Sequence, residues 1–143
     1  MVTALLQSAA AHIEAACPGA RVLVGPPGRG LCLTAVRVIA GLTPLRAVGP
    51  GAPQRPRGSF EVEALLTAPA EDGAAVQALG DAVVAVLQGP RVLDGAALGP
   101  RAGKAVITVE APSLDTLAAV FRAMGAPMGP AALLQLRVEL PEG

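Results

Sequence analysis

The stretch Ser59-Phe-Glu-Val-Glu-Ala-Leu-Leu-Thr-Ala68 decides the fold. Phe60, Val62, Ala64 and Leu66 alternate with Glu61 and Glu63. Apolar residues at every second position mark a half-buried β-strand. The two carboxylates then share its outer face, and a solvated edge of the sheet accounts for them. A strand with one apolar face needs a layer to cover it, so the flanking sequence must supply helices.

It supplies three. Residues 3–17 carry Leu6, Ala9, Ala10, Ile13 and Cys17 at helical spacing. Thr3 suits the N-cap and Pro18-Gly19 stops the helix. Residues 71–88 form a second helix, with Glu71 and Asp72 at its positive end. Its buried stripe is read as Val76, Leu79, Val83 and Val86. Ser113 caps a third helix with Leu114, Leu117, Phe121 and Met124 on one face. Further strands are expected at 21–24, 31–42, 104–110 and 132–140, with a strand-like Val92-Leu93 before the one at 104–110. In the last strand Leu134, Leu136, Val138 and Leu140 face one way, and Gln135, Arg137 and Glu139 the other. Gly25-Pro-Pro-Gly-Arg-Gly30 is read as a turn.

The expected class is α/β (α+β): a mixed sheet of about five strands flanked by three helices. The order is α-β-β-arm-β-α-β-α-β. At 143 residues, residues 1–143 are expected to form one domain, long enough to bury a core. Aromatics are 1% of the chain, Phe60 and Phe121, so Ala, Val, Leu and Ile must build that core. The same poverty argues against a base-stacking nucleic-acid surface and against an aromatic cage for a cation.

The arm spans residues 43–58, Thr43-Pro-Leu-Arg-Ala-Val-Gly-Pro-Gly-Ala-Pro-Gln-Arg-Pro-Arg-Gly58. It holds four prolines, three glycines, three arginines and no acid. Loops this long inside a domain are usually functional or disordered. A catalytic lid would bring a nucleophile, a base or a ligand; this one brings positive charge and stiff backbone. Arg46, Arg55 and Arg57, with Leu45, are the candidate partner-binding residues, since arginine is favoured for interfacial carboxylate pairing. The alternative is a loop solubilised by its charge.

Little else carries chemistry. His12 is the only histidine and has no partners at metal-ligand spacing. It reads as a helix-face residue. Cys17, five positions on, does not share that face well. Cys17 and Cys32 form neither a CxxC pair nor a disulfide framework. The loop at 25–30 lacks the Gly-Lys-Ser/Thr ending of a phosphate loop and precedes a strand. Glu61/Glu63 and Glu71/Asp72 lack the apolar pocket that splits carboxyl pKa values. No catalytic residue, cofactor or metal is therefore assigned. No membrane span and no signal peptide is read, which leads to an expectation of cytoplasmic synthesis with reduced thiols.

Net charge is zero but uneven. Up to Ser59, six arginines stand against Glu14, giving +5; from Phe60 on, five bases stand against ten acids, giving −5. Either the two halves meet a partner, or a neighbouring copy, through this asymmetry, or the fold interleaves them.

Four stretches resemble the cap, or tail-terminator, family of extracellular contractile injection systems. These are phage-tail-like particles of the antifeeding-prophage and Photorhabdus-virulence-cassette type, and the likeness is to the amino-terminal cap domain. The stretches are Leu31-Cys-Leu-Thr-Ala-Val-Arg-Val38; Thr43-Pro-Leu-Arg46 with Arg55-Pro-Arg-Gly58; Val62-Glu-Ala-Leu-Leu-Thr67 with residues 72–87 and Pro90-Arg-Val-Leu93; and Val106-Ile-Thr-Val-Glu-Ala-Pro-Ser-Leu-Asp115 with Phe121 and Leu134-Gln-Leu-Arg-Val138. The chain keeps Phe121 but has neither the Trp common in that family's third helix nor the Tyr of its last strand. The resemblance implies a non-catalytic homohexameric ring at the distal end of the particle. It would stop inner-tube growth and anchor the last sheath ring, with the terminal tube and sheath rings as partners. The contrasting reading is a small-molecule-binding or regulatory α/β domain.

Overall fold

In the computed structural model of the chain, residues 1–44, 56–100 and 102–140 are described. Six strands form one sheet in the order β1-β2-β3-β6-β5-β4. They are β1 (Val22–Val24), β2 (Leu31–Pro44), β3 (Pro56–Thr67), β4 (Val92–Leu93), β5 (Ala105–Glu110) and β6 (Ala131–Leu140). Three helices accompany them: α1 (Val2–Ala16), α2 (Gly73–Gln88) and α3 (Leu114–Met124). The sheet is mixed as expected, with Val92-Leu93 making the sixth strand.

Period-two alternation assigns the two faces of the sheet. Val62, Ala64 and Leu66 of β3, Leu134, Leu136 and Val138 of β6, and Ala105 and Ile107 of β5 share a core with α1 and α2. Leu65 and Leu133, one residue out of phase, meet Phe121 of α3 on the opposite face. The layers are thus unequal. α1 contributes Leu5, Leu6, Ala9, Ala10 and Ile13, and α2 contributes Ala75, Leu79, Ala82 and Val86. α3 buries only Phe121. Full burial of a Leu or Ile contributes about 2–3 kcal/mol, so the α1/α2 layer carries most of the stabilisation.

Several local expectations change. The N-cap of α1 is Met1, without a side-chain cap; Thr3 lies inside the first turn, and packing holds this helix instead. Cys17 is the C-cap, half-buried against the same core as the stripe. In α2 the fully buried stripe is Ala75, Leu79, Ala82 and Val86; Val76 packs half-buried against the same core, and Val83 is half-buried. Asp72 caps α2, accepting from the Ala75 N–H at 3.1 Å. Ser113 caps α3 through the Thr116 N–H, and Gly125 ends it at φ +69°, a left-handed position that favours glycine. Leu114 is 71% exposed rather than packed, since α3 meets the sheet only through its later turns.

The loop at 25–30 is not a hairpin turn. It joins parallel strands, with Val22 beside Leu31 and Val24 beside Leu33. Six residues suffice for this return because β1 is only three residues long. Gly25 at φ +155° and Gly30 at φ +69° supply the backbone geometry. The Thr34 hydroxyl donates to the Gly25 carbonyl at 2.6 Å and closes the loop.

The largest revision concerns the arm. β2 and β3 are consecutive and antiparallel, and their pairing runs out to Pro44 opposite Pro56. Thr43, Pro44 and residues 56–58 therefore belong to the hairpin, not to a loop. Proline is tolerated at the end of a ladder, so this composition did not mark where the pairing stops. Leu45, Arg46 and Arg55 lie outside the described residues. Arg57 sits on β3 opposite Thr43.

Candidate functional site

β3 is central, so Glu61 and Glu63 are not on a solvated edge. Register sets Arg37 of β2 and Gln135 of β6 on either side of Glu63, and Ile39 and Arg137 on either side of Glu61. Arg37 Nη2 lies 2.7 Å from Glu63 Oε1. Gln135 Nε2 donates to Glu61 Oε2 at 3.0 Å, and Arg137 Nε stands 3.6 Å from Glu61 Oε1. Both carboxylate side chains are 22% exposed, against 62% for Arg37 and 45% for Arg137. The result is a polar ladder across three strands on the α3 side.

A β-bulge makes the ladder possible. Ala35 faces Ala64 and Arg37 faces Glu63, so Val36 is the extra residue between them. Val36 turns into the α3 cluster while Arg37 reaches the carboxylate. Beside the ladder, α3 and the sheet enclose a groove of about 950 Å³. Its floor includes Arg37, Glu63 and Gln135, and its wall includes Thr116, Ala119 and Ala123. Sequence reasoning found both acids but not their partners. The alternation in β6 put Gln135 and Arg137 on one face; only the strand order brings that face beside β3.

These ion pairs are partly exposed, which limits their value to about 0–1 kcal/mol each. Glu63→Gln should therefore lower stability by no more than about 1 kcal/mol, measured by urea denaturation. A loss well above that would mean that the Arg37–Glu63 pair is structurally essential.

His12 is half-buried in a second groove, of about 590 Å³, between α1 and the β4 region. Asp94 is the one acid lining it. Ser8 donates to the Asp94 carbonyl at 2.6 Å and holds the two elements together. Among the described residues no group of three His, Cys, Asp or Glu could hold a metal ion. Cys17 and Cys32 are free thiols. Burial, and secondarily the Asp81 carboxylate, push the Cys17 thiol up from its ordinary value. That is the reverse of nucleophile activation. It also sets a sign: the folded state keeps this proton after the unfolded state has lost it. The contribution of Cys17 to stability is thus present below the unfolded pKa and falls as pH rises above it. Cys17 should react with iodoacetamide more slowly than free cysteine near pH ~8.5, followed by peptide mapping that separates it from Cys32. Alkylation as fast as the free amino acid would contradict this.

At the β2 edge an N-terminal arginine and a later acid do meet, Arg37 with Glu63. Arg21, Arg29 and Arg37 are exposed on and beside β1 and β2. α2, with its cap, holds Glu71, Asp72 and Asp81 and no base. The β4–β5 edge is mixed, with Arg91, Asp94, Lys104 and Glu110. Part of the charge asymmetry in sequence is therefore an asymmetry in space. Among the described residues no helix is long and apolar enough to cross a membrane.

The sequence matches no protein-family model and no curated protein. A solved structure does share its fold: the PVC sheath/tube terminator, in the extended state, of an extracellular contractile injection system determined by cryo-EM. The TM-score is 0.63 with 16% identity. The likeness covers 100% of this chain and 57% of the other, so this chain spans little more than half the terminator's length. Along its whole length, then, the chain has the fold of part of a contractile injection system's sheath/tube terminator, as the resemblance in its sequence implied.

Proposed function

We propose that the chain is a structural cap, or tail terminator, of a contractile injection particle. It assembles as a homohexameric ring on the distal end, stops inner-tube growth and anchors the last sheath ring. Its partners are its own copies and the terminal tube and sheath rings, and its role is not catalytic. It is made in the cytoplasm and becomes part of the particle. The observation that carries this reading is the likeness of fold, over all of this chain, to a sheath/tube terminator.

The two sheet edges agree with it. A cyclic ring needs unlike surfaces on the two sides of each subunit, because its contacts are heterologous. Here one edge is long, with Arg21 and Arg29 exposed at its β1 end and Arg37 paired with Glu63 further along, and the other is short and mixed in charge. Leu45, Arg46, Arg55 and Arg57 at the end of the β2–β3 hairpin are the proposed partner-binding residues.

Native mass spectrometry and negative-stain microscopy of the chain, alone and with tube protein, provide the test. The expected result is a six-fold ring with a central opening. A monomer or dimer that persists at micromolar concentration with tube protein present would overturn the cap reading.

A further inference from the structure

α2 is apolar on two sides. One side packs on the sheet through Ala75, Leu79, Ala82 and Val86. The other is a row of Gly73, Val76, Gly80, Val84 and Leu87, three or four residues apart along the helix. Val84 is 49% and Leu87 51% exposed; Gly73 and Gly80 are exposed, and Val76 is half-buried. The polar side chains of α2 are Gln77, Asp81 and Gln88, and Asp81 is its one charge. Gln77 donates to Asp81 at 3.3 Å, and both stand beside the row. α1, in the same layer, exposes Thr3, Gln7, Ala11, Ala15 and Ala16, none of them charged. A helix that faces water usually carries charged and polar residues on its outer side. This layer carries almost none.

Gly80 sits in the middle of α2, where glycine weakens a helix relative to alanine. A Cβ there would meet nothing within 4 Å, and the same holds at Gly73. Packing inside the subunit therefore requires neither glycine.

The row itself selects the occupant, because it is symmetric about Gly80. Its spacings are three, four, four and three. An antiparallel copy of α2 centred on Gly80 sets Val84 level with Val76, Leu87 level with Gly73, and glycine against glycine in the middle. Small residues at the crossing let two helix axes approach closely. The helix ends agree. Glu71 and Asp72 precede α2, and an exposed Arg91 follows it. Antiparallel pairing carries the acids of one copy to the end that bears the base of the other, whereas parallel pairing would set acid against acid. A contact of this kind is self-complementary about a two-fold axis. We propose that the outer face of α2 is covered by α2 of a second copy, antiparallel and centred on Gly80. The proposal does not rest on the cap reading. It gives a dimer of free subunits or, where the subunits also form six-fold rings, two rings back to back.

One pair of helices is a small interface, so the association is expected to be weak and concentration-dependent. Sedimentation equilibrium and native mass spectrometry of the whole chain, from ~1 to ~100 μM, read the copy number. Gly80→Glu puts a better helix former into open space, so the subunit should melt no lower than before. It also sets two carboxylates against each other at the centre of the pair. Pairing should weaken at least about tenfold, from dimer to monomer or from twelve copies to six. Gly80→Lys should do the same. Mixed in equal amounts, the two variants should pair with each other and recover the association. Leu87→Gln, at an exposed site away from the centre, gives a second reading and should weaken pairing at least about tenfold as well.

A monomer, or a single ring of six, for the unsubstituted chain at ~100 μM would overturn the proposal. Pairing that survives Gly80→Glu or Leu87→Gln would do so too. Failure of the two charged variants to recover on mixing would mean that α2 meets some other surface, and the two-fold contact would fall. A dimer that persists with tube protein present but dissolves with Gly80→Glu would remove the cap reading and leave this contact standing.

Discussion

Leu136→Ala should destabilise the chain by about 3 kcal/mol and lower its melting temperature by roughly 10 °C. Leu136 has no exposed surface. It stands on β6 with Val62 beside it on β3 and Ile107 on β5, and both are fully buried as well. Truncation removes methyl and methylene groups from a site walled by two strands and roofed by the α1/α2 layer. Strands in register cannot collapse inward to fill the gap, so a cavity term adds to the lost transfer free energy. Typical domains have only about 5–15 kcal/mol to lose, which makes this change severe. Leu114→Ala provides the contrast. That side chain is 71% exposed, and its loss should shift stability by no more than about 0.5 kcal/mol. Thermal denaturation by circular dichroism measures both. Similar losses at the two positions would mean that the division into a covered sheet and a loosely roofed α3 face is wrong.

How much of this was legible depended on whether a signal was local. The alternation from Phe60 to Leu66 and from Leu134 to Leu140 was enough to place two strands and their buried faces. Ser113 announced its helix because capping involves residues only three apart; Glu71 and Asp72 were read only as acids suiting a positive helix end, and Asp72 is in fact the cap. Leu114 was misread for the complementary reason. Its helical spacing matched Leu117 and Phe121, but burial depends on how far α3 extends over the sheet. The parallel pairing of β1 and β2 was hidden as well, since a Gly/Pro-rich six-residue segment ordinarily signals a hairpin.

The polar ladder shows the same boundary at the candidate site. Glu61, Glu63, Gln135 and Arg137 could each be put on a face from alternation alone. Their meeting required β6 to insert beside β3 rather than beside β5 only, which is a non-local choice. Arg37 reaches Glu63 only through the bulge at Val36, and nothing in Thr34-Ala-Val-Arg-Val38 marks an extra residue. The arm was found from its prolines and arginines, but its limits were not, because pairing between consecutive strands continued through residues whose composition looked like loop.

Changing Arg46, Arg55 and Arg57 together to alanine should leave the subunit folded and weaken ring or tube association by about thirtyfold or more. The hairpin sharpens this expectation. Pro44 and Pro56 are paired, so residues 46, 55 and 57 all lie within two positions of the last rung of one ladder. Three arginines so close along the chain to one rung can meet one partner surface together, which is why the triple change is expected to act on association as a unit. Interfacial arginines commonly lose 1–3 kcal/mol or more on truncation; a net loss of only ~2 kcal/mol already corresponds to that thirtyfold change. The buried core does not include them: its residues lie in α1, α2, the strands, Ala68 just past β3 and the short 96–98 turn. Stability and assembly should thus separate: an unchanged melting temperature for the subunit, with ring formation lost in native mass spectrometry. The Arg→Lys triple keeps the charge but not the planar fork, and should recover only part of the association if the contacts are bidentate to carboxylates. A fall in melting temperature that tracks the loss of assembly would assign these arginines to the fold instead. Undiminished rings would remove them from the interface and return the hairpin tip to the role of a charged, solubilising loop.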